Sequence, residues 1–317
     1  MPSLTQLKYI VAVDEHRHFG LASKAENVSQ PSLSQQIQKA EDELGVVIFD
    51  RSTKPIRVTE RGEKIIRQAR LILSEHQHLL EIGLQKDSGL SGQLKLAVIP
   101  TLSAYLVPLF LSSFAESYPF IRLEISELQT ETIIKGLHEE RLDAALLATP
   151  LHEKGLTEEP LFYEPFLIYH SPGHPAFKKQ NLSLKDIKDE KAWVLADGHC
   201  FGDQMLTYCS LNRNNPVFPN VQFQSGSFET LQGLVDGSKS YTLFPQLFVD
   251  RLPKSLQARQ IKSFKAPAPS REISLVFKRK VWKQDLLEAL QTNILEHLPK
   301  TLPKKPKKME VLELTSL

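Results

Sequence analysis

Apolar and polar positions alternate along this chain with two periods, helical at first and strand-like later. From Leu4 to Glu15, the residues Leu7, Ile10, Val11 and Val13 recur at helical spacing and predict a short amphipathic helix. His18–Val28 predicts a second. In the stretch Ser29-Gln30-Pro31-Ser32-Leu33-Ser34-Gln35-Gln36-Ile37, Ser29 or Gln30 can cap a helix and Pro31 fits its first turn. Leu33, Ile37, Ala40 and Leu44 share one face of that helix. Pro31, Ser34, Gln35 and Gln38 share the opposite face, and Gly45 ends it. Thr59–Gln85 is a long helical pattern with Thr59 as its cap. Ile65, Ala69, Ile72, His76 and Leu79 recur along it at heptad-like spacing. The run Asp87-Ser88-Gly89-Leu90-Ser91-Gly92 breaks it and marks a hinge.

Beyond the hinge the period changes. Leu94–Ile99 reads as a buried strand, Ala104–Ser117 as a helix, Arg122–Glu127 as a strand, Thr130–Glu140 as a helix and Ala144–Ala148 as a strand. This βαβα order predicts a parallel sheet with helices on both sides. Strands near Phe166–Tyr169, Ala192–Leu195, Val221–Gln224 and Tyr241–Leu243 predict a second α/β lobe. Glu272–Phe277 and the helix Lys283–His297 are expected to return to the first lobe. The fold class expected is α/β: an N-terminal group of short helices, a long linker helix, then two α/β lobes like those of a periplasmic binding protein.

Composition adds limits rather than direction. The 317 residues carry a net charge of +2, with 41% hydrophobic and 24% charged residues, which is ordinary for a globular chain of two or three domains. Met1–Glu15 mixes charges with short apolar stretches, unlike a secretory leader, and no apolar run is long enough to span a bilayer. A cytoplasmic, non-membrane location is expected. The two cysteines are too few for a secreted disulfide scaffold, and in a reducing compartment a disulfide between them would be transient.

Two stretches carry candidate chemistry. Two short helices, a tight turn and a helix with an amide-rich outer face point to a helix-turn-helix that enters a DNA major groove N-terminus first. Gln side chains can pair with adenine edges, and Ser can serve several bases. Residues 51–70 hold Arg51, Lys54, Arg57, Arg61, Lys64, Arg67 and Arg70 against only Glu60 and Glu63, a basic balance suited to phosphates. The second stretch runs from Asp197 to Cys209 and contains both cysteines, Cys200 directly after His199 and Cys209 nine positions on. Two buried thiols acting as small hydrophobes would be the plain explanation. The polar flank of Cys200 argues otherwise, because His199 or a nearby cation can lower a thiol pKa. A His199–Cys200 hydrolase dyad lacks a third orienting group. A zinc site on His199, Cys200 and Cys209 lacks a fourth ligand, so no metal and no cofactor are expected.

Phe19-x-x-Ala22, Ser29-Gln30-Pro31, Leu33-Ser34, Gln36-Ile37, Glu41, Leu44-Gly45, Phe49-x-Arg51 and Thr59-x-x-Gly62 resemble the winged helix-turn-helix of the LysR-type transcriptional regulators. Glu26 and Ala40 depart from it, standing where larger apolar residues are usual. The rest of the chain resembles the hydrogen-peroxide-sensing OxyR branch of that family. Ile99-Pro100-Thr101, Gln129-Thr130, Leu195-Ala196-Asp197-Gly198-His199-Cys200, Asp203-Gln204, Cys209, Glu229-Thr230-Leu231 and Thr242-Leu243-x-Pro245 carry that likeness. Ser126, Phe201-Gly202 and Gly237-Ser238-Lys239-Ser240 depart from it.

The resemblance implies a division into residues 1–58 for DNA binding and 59–92 for linker and dimerisation, then 93–300 for redox sensing and a Lys/Pro-rich tail at 301–317. Within the sensing region, 93–163 with 269–300 would form one lobe and 164–268 the other. It also implies that Cys200 is the peroxidatic and Cys209 the resolving cysteine. Thr101, Thr130, His199, Asp203 and Arg271 would place and activate peroxide. Ser29, Gln30, Pro31, Ser32, Ser34 and Gln35 would read DNA, with Arg51 and Lys54 on phosphates. The partners implied are promoter DNA, hydrogen peroxide as signal, further copies in a tetramer built from dimers, RNA polymerase, and a thiol reductant such as glutaredoxin or thioredoxin. The chain would be a receptor and not an enzyme. A LysR-type regulator of a small metabolite, with incidental cysteines, is the alternative. The tail after Pro303, with Lys304, Lys305, Lys307 and Lys308, is expected to be a solvated end.

Overall fold

The computed structural model describes residues 1–84, 89–196, 200–211, 216–221, 223, 225–278 and 283–314. They divide into two compact units, one spanning Met1–Gly89 with Glu139–Arg141 and the other spanning Leu90–His138 with Leu142–Leu317.

The first unit contains α1 (Leu4–His16), α2 (Phe19–Ala25), α3 (Gln30–Leu44), a two-stranded wing of β1 (Phe49–Asp50) and β2 (Arg57–Val58), and α4 (Glu60–Leu84). The helices start where side chains can accept the free amides of the first turn. Ser3 and Gln6 form a capping box on α1, His18 Nδ1 accepts from Gly20 and Leu21, and Ser29 Oγ accepts from Ser32. Leu7, Ile10, Val13, Leu33, Ile37, Ala40, Phe49, Ile66 and Ala69 make the core. Leu44, expected there, is exposed. Glu41 takes the inner place instead, because its carboxylate accepts the amides of Ile48 at 2.6 Å and Phe49 at 3.1 Å. Thr59 caps α4 as expected, its hydroxyl accepting from Gly62. The heptad pattern of α4 splits. Ala69 turns into its own domain, whereas Ile72 and Leu79 remain exposed. Gln85 lies outside the described residues.

The second unit is organised on one long sheet in the order β4-β3-β5-β10-β6-β9-β7, with β8 added to β6 and β11 to β10. Its elements are β3 (Gly92–Val98), α5 (Pro100–Ser117), β4 (Ile121–Glu127), α6 (Thr130–His138), β5 (Ala144–Thr149), β6 (Leu156–His170), β7 (Asn181–Leu182) and α7 (Leu184–Ile187). They continue with α8 (Cys200–Tyr208), α9 (Phe228–Asp236), β8 (Tyr241–Pro245), α10 (Gln246–Arg251), α11 (Lys254–Gln260), β9 (Ile261–Phe264), β10 (Ala268–Lys278), α12 (Gln284–His297) and β11 (Met309–Val311). Strands β3, β4 and β5 are parallel, as the βαβα order implies. The sheet is not parallel throughout, since β10 runs antiparallel to both β5 and β6. β6 carries the chain out of the first lobe and β10 brings it back, so the two must run in opposite directions. β6 pairs with β10 up to Pro165 and with β8 from Phe166 onward, which makes it the strand that joins the lobes. α12 returns to the first lobe, where Asn293 bonds Ser113 of α5.

Three expectations need correction. Ala192–Leu195 forms no strand: Ala192 makes one isolated bridge to Tyr241, and the Trp193 carbonyl is taken by the Thr242 hydroxyl instead of a ladder. Val221 and Phe223 are not in a strand, and residues 222 and 224 lie outside the described residues. The tail is docked, with β11 pairing parallel to β10 and with Leu302 and Leu312 buried. Among the described residues, no helix is long and apolar enough to cross a membrane.

Candidate functional site

Cys200 is the first residue of α8, where helix amides and the positive end of the macrodipole favour an anion. Its Sγ lies 2.8 Å from the hydroxyl of Thr130, the first residue of α6. Arg271, on β10, reaches the same region. Its Nη1 donates to Thr101 Oγ1 at 2.9 Å and its Nη2 to the Thr101 carbonyl at 3.1 Å. The guanidinium also lies over the Phe201 ring, 5.3 Å from the centroid. Thr101, Thr130, Cys200 and Arg271, spread over 171 positions of sequence numbering from 101 to 271, thus converge where three helices begin beside β10. The Thr101 side chain serves Arg271 and does not cap α5.

Arg271 is fully buried, and a buried cation needs a counter-ion. Glu164 of β6 supplies it, accepting from Arg271 Nε at 2.8 Å and Nη2 at 2.7 Å. Its other oxygen accepts the Leu247 amide at 2.7 Å. Sequence reasoning passed over Glu164. The signal available was a lone charge in the apolar strand run Phe162-Tyr163-Glu164-Pro165-Phe166.

The electrostatics of the two thiols differ. Burial pushes the Cys200 thiol up, and Asp203 adds to the rise. The Thr130 hydrogen bond, the helix backbone and Arg271 act against it. Burial thus outweighs the cation here, contrary to the lowering expected from the polar flank. His199 lies outside the described residues, as do Asp197 and Gly198. Burial pushes Cys209 up to about 12. The Tyr241 hydroxyl opposes this, close enough to act on the thiol but without a hydrogen bond of full geometry.

The two cysteines sit at opposite ends of a wound helix, whose last turn includes the bond from the Cys209 amide to the Met205 carbonyl. Nine residues at about 1.5 Å rise put their Cα atoms about 13 Å apart. A disulfide needs about 4.4–6.8 Å. Phe201 anchors the helix, its ring 4.5 Å from Phe166 and 5.1 Å from Phe228. Gly202 is buried against the chain at Leu195, where an added Cβ would come within 2.9 Å of the carbonyl oxygen. Its role in the resting state is therefore close approach.

The first unit presents a separate candidate surface. Gln30, Pro31, Ser32 and Gln35 of α3 are exposed, and Ser29 is spent on the cap. Ser34 is half-buried and accepts from Arg51 Nη1 at 3.3 Å. Arg51 is also paired with Glu41 at 2.8 Å and lies 5.1 Å from the Phe19 ring centroid. Its guanidinium fastens the wing to α3. Arg70 is buried, between Asp14 and Glu15. Lys54 and Arg57, like Arg51, are exposed cations of the wing.

Residues 4–63 match the bacterial regulatory helix-turn-helix protein family of LysR type, and residues 87–299 match the LysR substrate binding domain. A hydrogen peroxide-inducible genes activator of Pectobacterium carotovorum subsp. carotovorum is 33% identical over 296 residues, covering 93% of this chain and 97% of that protein. The DNA-binding transcriptional dual regulator OxyR of Escherichia coli is 33% identical over 305 residues, 95% of this chain and 98% of that one. Among solved structures, a full-length OxyR variant from Pseudomonas aeruginosa superposes with a TM-score of 0.78 at 31% identity, covering 94% of this chain and 99% of that one. A peroxide-bound OxyR variant from Corynebacterium glutamicum gives a TM-score of 0.59 at 29% identity, covering 94% and 92%.

Proposed function

This chain belongs to the LysR family of bacterial regulatory proteins, and from that membership we propose that it is a hydrogen-peroxide-sensing transcriptional regulator. The observation that carries the reading is the Thr130 hydroxyl on Cys200 Sγ at 2.8 Å, at a helix N-terminus beside a buried arginine. A metabolite-binding regulator with incidental cysteines has no need of that arrangement.

The chemistry follows from the groups present. The Cys200 thiolate attacks one peroxide oxygen and the O–O bond breaks. One oxygen stays on sulfur as a sulfenic acid, and the other leaves as hydroxide and takes a proton to become water. Hydroxyl donors such as Thr130 hold the peroxide in line and help protonate the departing oxygen. The Cys209 sulfur then attacks the sulfenic sulfur, the second oxygen leaves as water, and the disulfide has taken up the two-electron oxidation. Because about 13 Å separates the cysteines on the intact helix, α8 unwinds before the bond closes. That two-state change re-aims the lobes and alters DNA binding.

The exposed face of α3 reads major-groove edges, while Lys54 and Arg57 contact phosphates. The chain acts on promoter DNA in the cytoplasm as a tetramer built from dimers, with RNA polymerase as its downstream partner. A dithiol reductant, glutaredoxin or thioredoxin, returns the switch to its starting state. The protein itself is changed once per signal, so it is a receptor and not an enzyme.

Mass spectrometry of the Cys200–Cys209 linkage before and after a stoichiometric peroxide pulse tests this, with an operator footprint in parallel. An intramolecular disulfide and a changed footprint are expected, and both should vanish in Cys200→Ser. An intermolecular disulfide, or a footprint that changes equally in Cys200→Ser, would sink the reading.

A further inference from the structure

The C-terminal residues fold as a strap across the second unit. The Tyr163 amide donates to the Pro303 carbonyl at 2.8 Å, and the Ala268 amide to the Lys308 carbonyl at 3.0 Å. β11 then runs beside β10, with Ser270 Oγ donating to the Glu310 carbonyl at 3.2 Å. The Leu312 amide donates to the Ser270 carbonyl at 2.9 Å, and the side chain of Leu312 is buried. The strap ends against the redox helix. Gln204 Nε2, buried at the middle of α8, donates to the Leu312 carbonyl at 2.8 Å. Glu310 lies close enough to Tyr208, the last residue of α8, to add to the burial that pushes its hydroxyl up to about 12.

We propose that Gln204 and the strap 302–314 are positioning elements of the switch, which hold α8 wound and so set the rate of disulfide closure but not the rate at which Cys200 is oxidised. The inference rests on the disulfide reading of Cys200 and Cys209. Oxidation of Cys200 takes place at the N-terminus of α8 and leaves Gln204 where it is. Closure requires the helix between the cysteines to unwind, and Gln204 lies on that segment. Unwinding must either break the bond to Leu312 or pull β11 from β10. A buried carbonyl or amide left without its partner raises the barrier to that motion. In balanced form, hydroperoxide converts the Cys200 thiolate to sulfenic acid and hydroxide. The Cys209 thiol then converts the sulfenic acid to disulfide and water. Only the second step moves the strap. A slow second step leaves the sulfenic acid open to another peroxide, which takes it to sulfinic acid.

Gln204→Met and deletion of residues 309–317 test this in the full-length protein. Rapid-quench peroxide reactions would trap sulfenic acid with a dimedone-type probe and measure disulfide and sulfinic acid by mass spectrometry. Sulfenic acid should appear at the wild-type rate in both variants, which also shows that the site around Cys200 is still folded. Closure should be about fivefold faster in Gln204→Met, the equivalent of one hydrogen bond of ordinary net strength. It should be faster still in the deletion, and the sulfinic fraction should fall in both. Closure at an unchanged or lower rate in both variants overturns the role of the strap alone. A wild-type chain that accumulates sulfenic acid and never closes the disulfide overturns the underlying reading with it.

Discussion

Replacing Glu164 with Gln leaves Arg271 charged, buried and without its counter-ion. Gln keeps the size of Glu164 and can still accept the Leu247 amide, so the change isolates charge. Arg271 is fully buried and holds no water-facing edge, so solvent cannot take over the pairing. Removing one partner of a buried ion pair costs about 3–5 kcal/mol. For a unit of this size each kcal/mol lowers Tm by about 2–4 °C, so a fall of about 6–20 °C is expected for the second unit. The assay is calorimetry of reduced protein, with Glu164→Gln, Arg271→Met and the double variant measured together. In the double variant the stranded charge is gone, and most of the lost stability should return. The reasoning also fixes a chemical readout. Arg271 works against the burial that raises the Cys200 thiol, so Arg271→Met should raise that thiol further and slow peroxide reaction at neutral pH. A Tm shift below about 2 °C in Glu164→Gln, or losses that simply add in the double variant, would refute the account.

Alkylation at graded pH with peptide mapping should label Cys200 ahead of Cys209 at pH 8–9, since Cys209 stays protonated toward about 12; faster labelling of Cys209 would reverse the assignment of roles. The same raised pKa predicts a loss of stability in alkali: the protonated Cys209 contributes fully below the ordinary thiol pKa of about 8.5, and that contribution is lost as pH rises toward about 12. Cys209→Ala should flatten that alkaline slope in reduced protein, and an unchanged slope would count against it. On DNA, Lys54→Ala should weaken binding to all sequences and reduce the salt slope by about one, whereas Gln30→Ala with Gln35→Ala should relax sequence preference; unchanged operator footprints in the pair would exclude this docking of α3. Arg51→Ala should lower the Tm of the first unit and leave the salt slope nearly intact, because its guanidinium is bound to Glu41; a full unit of lost slope would return Arg51 to the phosphates.

Much of this was legible along the chain, and the misses have physical causes. Helices α1, α3 and α5 follow from the period of their apolar residues, and α3 from its Ser29 cap as well, because their apolar stripes face cores that their own sequence announces. Cys200, Thr130 and Thr101 stood at predicted strand ends, where α/β folds gather ligand groups. Glu164 escaped notice because its partner is 107 positions away, and one charge in a strand does not name its counter-ion. The bond that Arg51 makes to Glu41 escaped notice because charge counts along a segment ignore internal carboxylates. The strap escaped because its lysines and prolines dominate its composition, while two leucines and a set of backbone bonds dock it. The Ala192–Leu195 segment has strand composition but makes only one bridge, so propensity there was overruled by side-chain bonding.

Glu41 gives the DNA-facing unit the character of a caliper. One carboxylate receives the amides of Ile48 and Phe49 at the root of the wing and the guanidinium of Arg51 within it, so one jaw is α3 and the other is the wing. Jaws joined by three hydrogen bonds cannot open to follow a stretched or overtwisted site. The unit should therefore measure the offset between a groove edge and the neighbouring backbone as strictly as it reads bases. An operator with one base pair inserted between those two contacts should lose binding even when every base touched by α3 is kept.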